Sequence, residues 1–247
     1  MILFERESAA EYLPGTIPVF LGRTPRGRWR QWLSLAEVEV MTGEVEEVTG
    51  SGVMLDGGTY EADAVVAAPG LTLDYARVPN LPNVHAFWDP AGAEAASDAV
   101  REFRGGTVAV VVSSLPYRSP LLRRLPGEGP LVEVSPRFES AEPGLFVVGD
   151  AAMAPLPRAA DAAAAEGRTA ADAVLEGLGL STEQEPHLPE PECYVGHGAG
   201  RYSRISLRYP DGLPPGGKAE VRIEGPSETF AAGFEASFDR WRELRGG

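Results

Sequence analysis

The chain has 247 residues, 43% apolar and 23% charged, which is the composition of a globular protein with room for one large domain or two small ones. Its 36 acids against 22 bases give a net charge of −14, which disfavours nucleic acid and anionic lipid as main partners because their phosphates would be repelled. A single cysteine, Cys193, excludes an internal disulfide, and no apolar run reaches the roughly 18 residues of a membrane helix.

In chain order, "MILFERE" is expected to be a strand that starts at the first residues. It lacks the basic region and long apolar stretch of a signal peptide, so a cytoplasmic location is expected. The basic cluster Arg23, Arg26, Arg28 and Arg30 is short and reads as a solvated face or a local counterweight to the acids. Residues 38–60 alternate valine with acids around a Gly-Ser-Gly turn, the pattern of an antiparallel ribbon. "ADAVVAAPG" is a buried strand ending in small residues, and a helix is expected over about 90–104. "GGTVAVVVSSLPY" is another buried strand and "LVEVS" a short one. "LFVVGDAA" is an apolar run without polar alternation, which suits a parallel strand buried on both faces.

Asp150 then stands at the carboxyl end of that strand, where open α/β sheets place their ligands, although it could equally cap the alanine-rich helix that follows. That helix is expected over 159–178, "SRISLRY" and "KAEVRIEG" as strands, and a last helix over about 226–244. Phe230, Phe234, Phe238 and Trp241 form one stripe on this last helix, the usual signature of a face docked on the protein's own core. The strands near 1–5, 64–68 and 145–149 are expected to lie side by side.

The order of "MILFERE", the ribbon, "ADAVVAAPG", "GLFVVGDAA" and the tail from "CYVGHGAGRYSRISLRY" resembles the FAD-dependent pyridine nucleotide-disulfide oxidoreductases. Among these it is most similar to sulfide:quinone oxidoreductases and the flavocytochrome c sulfide dehydrogenase flavoprotein. The resemblance implies an α/β fold: a Rossmann-like FAD/NAD(P)-binding parallel sheet with an antiparallel side ribbon, a second dinucleotide domain reduced to a remnant, and a small α+β tail. The implied boundaries are 1–106 for a partial FAD-binding domain, 107–140 for the remnant, 141–178 for the return to the first domain and 179–247 for the tail.

It also implies residue roles. Glu5 would accept hydrogen bonds from the adenosine ribose, and Val45 would lend its backbone to the adenine edge. Ala68 and Gly70, with Ala67, stand where the family has Ala-Thr-Gly, so the chain would approach the cofactor without the hydroxyl. Gly149 and Asp150 match the family's Gly-Asp, whose carboxylate binds the ribityl chain. Arg158, read as lying just inside the following helix, would stabilise negative charge on reduced flavin, or else pair with an acid at the helix start. The implied partner is a quinone or another small electron acceptor. The last helix allows contact with the inner face of a membrane, although docking on the protein itself is the favoured role of its stripe.

Three departures limit the resemblance. No G-x-G-x-x-G stands before "MILFERE", so the loop that cradles a pyrophosphate is missing from these residues, and an earlier reading-frame start would restore it. Only 37 residues separate Val112 from Asp150, too few for a second dinucleotide domain when one βαβ unit takes about 30. Ser119 replaces a redox cysteine in "PYRSP", which removes disulfide chemistry by that route, and Cys193 is expected to be structural. His85, His187 and His197 show no metal-ligand spacing, so no metal is expected. The expectation is a flavin-dependent oxidoreductase or a piece of one, with FAD weak or absent in the chain as written. The alternative is a non-catalytic, cofactor-poor remnant or scaffold.

Overall fold

The computed structural model describes residues 1–73, 85–108, 117–118, 131–181, 187, 190–211, 218–243 and 245. The elements in the first part of the chain are β1 (Ile2–Glu5), β2 (Ala9–Glu11), α1 (Thr16–Phe20), β3 (Arg30–Trp32), β4 (Glu39–Thr42), β5 (Val45–Thr49), β6 (Gly52–Leu55), β7 (Gly58–Glu61), β8 (Val65–Ala67) and β9 (Thr72–Leu73). There follow α2 (Pro90–Glu102), β10 (Tyr117–Arg118), β11 (Leu145–Val147), α3 (Ala160–Gly177), β12 (Glu192–Gly198), β13 (Arg201–Arg208), β14 (Glu220–Ser227) and α4 (Ala231–Glu243). The chain is α/β, with short parallel pairs, an antiparallel ribbon and an α+β tail, as the sequence leads one to expect. It divides into two units, one of 1–43, 73–116 and 236–247, the other of 44–72 and 117–235.

In the first unit β1 pairs in parallel with β4, Ile2 opposite Glu39 and Glu5 opposite Thr42, while β2 and β3 pair antiparallel. Its core is aromatic. Trp29 is 1% exposed, with its ring 6.1 Å from Tyr12 and 4.9 Å from Phe238. The arginine cluster does counterbalance acids: Arg26 Nε donates to Glu11 at 2.6 Å and Arg30 lies 3.6 Å from Glu7. Helix α2 starts where Asp89 accepts the Gly92 N–H at 2.7 Å, with Pro90 in the first turn, where a missing N–H costs nothing.

In the second unit β5, β6 and β7 make the antiparallel ribbon, and β8 and β11 pair in parallel with Val65, Val66 and Ala67 opposite Leu145, Phe146 and Val147. Leu145 and Val147 are fully buried, which is why this run carries no polar residue. Helix α3 presents Ala162, Ala165, Glu166, Thr169 and Ala170 as its buried face. The tail sheet is ordered β12-β13-β14, and Tyr202 of β13 stacks on Phe234 at 5.3 Å.

Two expectations on strand order need correction. Strands β8 and β11 are neighbours, but among the described residues β1 belongs to a separate sheet, paired with β4. The ribbon therefore begins at Val45 rather than 38: residues 39–42 form a four-residue parallel register with β1, and the Gly43 N–H closes that pair by donating to the Glu5 carbonyl at 3.0 Å. "LVEVS" is reduced to a single parallel bridge between Val132 and Ala152. The strand expected at 105–117 lies mostly outside the described residues, as does Ser119. Phe234 and Phe238 of the final stripe are 6% and 5% exposed, packed within the protein as favoured from their spacing. Among the described residues no helix is long and apolar enough to cross a membrane.

Candidate functional site

The parallel register of β8 with β11 carries Ala68 and Gly70 to the same sheet edge as Gly149 and Asp150, because each pair follows the carboxyl end of its strand. The Val148 N–H extends the pairing by donating to the Ala67 carbonyl at 3.0 Å. Beyond this edge lies a hollow of about 60 Å³ whose walls include Gly149, Asp150, Met153, Arg158, Ala163 and Glu166. Gly149 has φ 71, a left-handed conformation that glycine adopts without strain, and it turns the chain from strand into a single 3-10 turn over Gly149–Ala151.

Asp150 does not cap α3. That helix starts ten residues later, with Ala159 in the cap position and no side chain accepting from its first turn. The residues between, "AMAPLPR", contain two prolines that delay the helix. Arg158 accordingly lies before α3 rather than inside it. It is exposed, and its Nη1 donates to the Asp150 carbonyl at 3.3 Å, which ties the lead-in segment to the turn.

The remaining expected positions are elsewhere. Val45 opens β5 opposite Leu55 and, like Ala68 and Gly70, is absent from the hollow's lining. Glu5 is exposed in the other unit, where its Oε1 accepts from the Arg6 N–H at 2.8 Å. Cys193 is exposed on β12, and partial desolvation followed by the Asp161 charge pushes its thiol up, which disfavours the nucleophilic thiolate. His187 meets Asp172 at 2.8 Å and His197 meets Ser203 at 2.9 Å. Among the described residues no group of three metal-ligating side chains occurs.

Glu166 was not singled out from the sequence. It is 4% exposed, and its Oε2 accepts the Gly149 N–H at 2.5 Å. Burial pushes its carboxyl up from the ordinary value of 4.5, the Gly149 N–H pulls it partly back, and the Asp150 charge raises it again. Because the folded carboxyl holds its proton more tightly than the unfolded one, its favourable contribution is complete below pH 4.5 and is lost as pH rises through the raised value. Glu166→Gln, which keeps an acceptor for Gly149 and removes the charge, is therefore expected to be more stable than the parent near about pH 7 and equal to it near about pH 4. Urea unfolding across that range checks this, and a pH-independent difference would contradict it.

No protein-family model and no curated protein matches the sequence. Solved structures share the fold. The sulfide:quinone oxidoreductase of Aquifex aeolicus aligns with a TM-score of 0.69 at 11% identity, over 98% of this chain and 85% of that one. NADH:rubredoxin oxidoreductase from Clostridium acetobutylicum aligns with a TM-score of 0.52 at 10% identity, over 97% and 88%. A chain of the mitochondrial ATP synthase of Tetrahymena thermophila gives a TM-score of 0.61 at 10% identity, over 83% and 79%. At these identities the likeness is one of fold.

Proposed function

We propose that this chain is an FAD-dependent oxidoreductase of the sulfide:quinone oxidoreductase type, or a piece of one, with the flavin end of its cofactor at the carboxyl ends of β8 and β11. The observation that carries this reading is that the β8–β11 register brings Ala68 and Gly70 to the same edge as Gly149 and Asp150, the latter two lining a hollow together with Arg158 and Glu166. Two of the proteins with this fold are named as oxidoreductases.

The residues present fit one end of FAD. Asp150 supplies an acceptor for ribityl hydroxyls, Gly149 lets the backbone approach closely, and Arg158 offers a cation at the rim. When bound, the flavin supplies two-electron chemistry, and the protein contributes orientation and electrostatics. Asp150 fixes the polyol, while Arg158 favours negative charge at the rim through its guanidinium. Glu166 already accepts the Gly149 N–H, so that donor serves the turn rather than a ligand.

The test is titration with FAD in excess, followed by flavin fluorescence. Loss of one charge-assisted hydrogen bond in Asp150→Ala is expected to weaken binding about tenfold to a hundredfold. Equal affinity in the two proteins, or no saturable binding at about millimolar FAD, overturns the proposal. The second reading, a non-catalytic scaffold, is favoured by two observations: the hollow's 60 Å³ is well below the roughly 300 Å³ of ordinary cofactor sites, and a chain of this fold belongs to an ATP synthase. Absence of FAD binding would support it.

A further inference from the structure

The tail sheet ends, among the described residues, in a strand paired on one side only. Among the described residues β13 is the one strand hydrogen-bonded to β14, and Val221 and Ile223 of β14 are 60% and 69% exposed. The register places Ile223 beside Ile205 and Cys193, and Val221 beside Leu207, so these residues share one face of the sheet. The other face carries Glu220, Arg222 and Glu224. There Arg222 Nη2 lies 2.8 Å from Glu224 Oε1, and Arg204 Nη2 donates to Glu224 Oε2 at 2.6 Å.

An open strand edge is a template for pairing, and proteins commonly blunt it with proline or with charge. The one proline of β14, Pro226, lies near its end beyond Glu224, and from Lys218, just before the strand, the charges alternate in sign, Lys218, Glu220, Arg222, Glu224. Such a pattern is complementary to its own reverse. In an antiparallel pair about a two-fold axis through Val221, Glu220 faces Arg222 of the second copy, Lys218 faces Glu224, and each contact occurs twice. Val221 meets Val221, and Ile223 faces Ala219 on the apolar side. A two-fold through Arg222 sets Glu220 against Glu224 and Arg222 against itself, so like charges exclude it. A two-fold through Ile223 keeps only the Arg222–Glu224 contacts.

We propose that β14 is a homotypic pairing edge at which a second copy of this chain adds its own β14 antiparallel, centred on Val221, to make a continuous six-stranded sheet. The occupant is a second copy because the charges and apolar residues of the edge complement themselves in this register. The contact is isologous and needs no bound ligand, so it stands apart from the flavin-site reading. Two short edges bury less than a standard interface, and the opposed charges are exposed, so the dimer is weak and loosened by salt.

Sedimentation velocity on the full chain, up to about 200 µM, tests this. A concentration-dependent dimer is expected for the parent. Arg222→Glu and Glu220→Arg, each of which turns two attractive contacts into repulsive ones, are expected to weaken it about tenfold or more. The double variant Glu220→Arg with Arg222→Glu restores opposite charges in the Val221 register and is expected to return the dissociation constant to within about threefold. A monomer at every concentration, a dimer indifferent to the single reversals, or failure of the double variant to recover overturns the proposal. Far-UV circular dichroism confirms that the exposed variants keep the parent fold.

Discussion

Replacing Trp29 with alanine is expected to remove about 3–5 kcal/mol of stability, measured as a shift in the urea unfolding curve. The side chain is 1% exposed, and its Nε1–H donates to Thr24 Oγ1 at 2.8 Å. Tyr12 and Phe238 pack against the ring, and Tyr12 in turn meets Ser237 and Trp241. A Cβ added at Gly15 would clash with Trp29 Cγ, so the backbone is already pressed against the indole. Truncation opens a cavity lined by rigid rings and leaves Thr24 without its donor. Trp29→Phe is expected to recover most of the packing and to lose the Thr24 bond, at a cost of about 1 kcal/mol. A loss below about 1 kcal/mol in the alanine variant would mean that the aromatic cluster does not hold the unit together.

Trp29 shows what the sequence could and could not convey. It stands within "GRWRQW", where the arginines dominate the local pattern and no periodicity marks a core residue. Its burial comes from Tyr12 and Phe238, one close in sequence and the other more than two hundred residues away. Strand β11 was legible because two-sided burial removes polar alternation, and α2 and α3 because capping and alanine content act locally. Strand β8 has the same apolar run, although Val66, between buried Val65 and Ala67, is 46% exposed. The partner of β1 was not legible, since a four-residue parallel pairing leaves no local trace. Of the two readings open for Asp150, the helix cap fails because Pro155 and Pro157 delay the start of α3 to Ala160. Glu166 had a signal that could have been used: it falls at helical spacing among Ala162, Ala165, Thr169 and Ala170, so an acid was bound to face inward.

The same edge sets the expectation for cofactor affinity. The 247-residue chain is expected to hold FAD about two to six decades more weakly than a protein of this fold that keeps a glycine-rich pyrophosphate loop. That loop aims backbone N–H groups and a helix N-terminus at two phosphate charges, and each such bond is worth about 1.5–3 kcal/mol. Losing two or three of them, at 1.4 kcal/mol per decade, gives that range. The hollow does not replace them: the Gly149 N–H is committed to Glu166, and Asp150 and Glu166 add acids where a pyrophosphate would need donors. The net charge of −14 adds a small long-range repulsion. The purified chain is therefore expected to be colourless until FAD is supplied in excess, and its visible absorbance checks this. A yellow protein carrying one flavin per chain would require a pyrophosphate cradle elsewhere in these residues. It would overturn the expectation that this edge lacks donors for two phosphate charges.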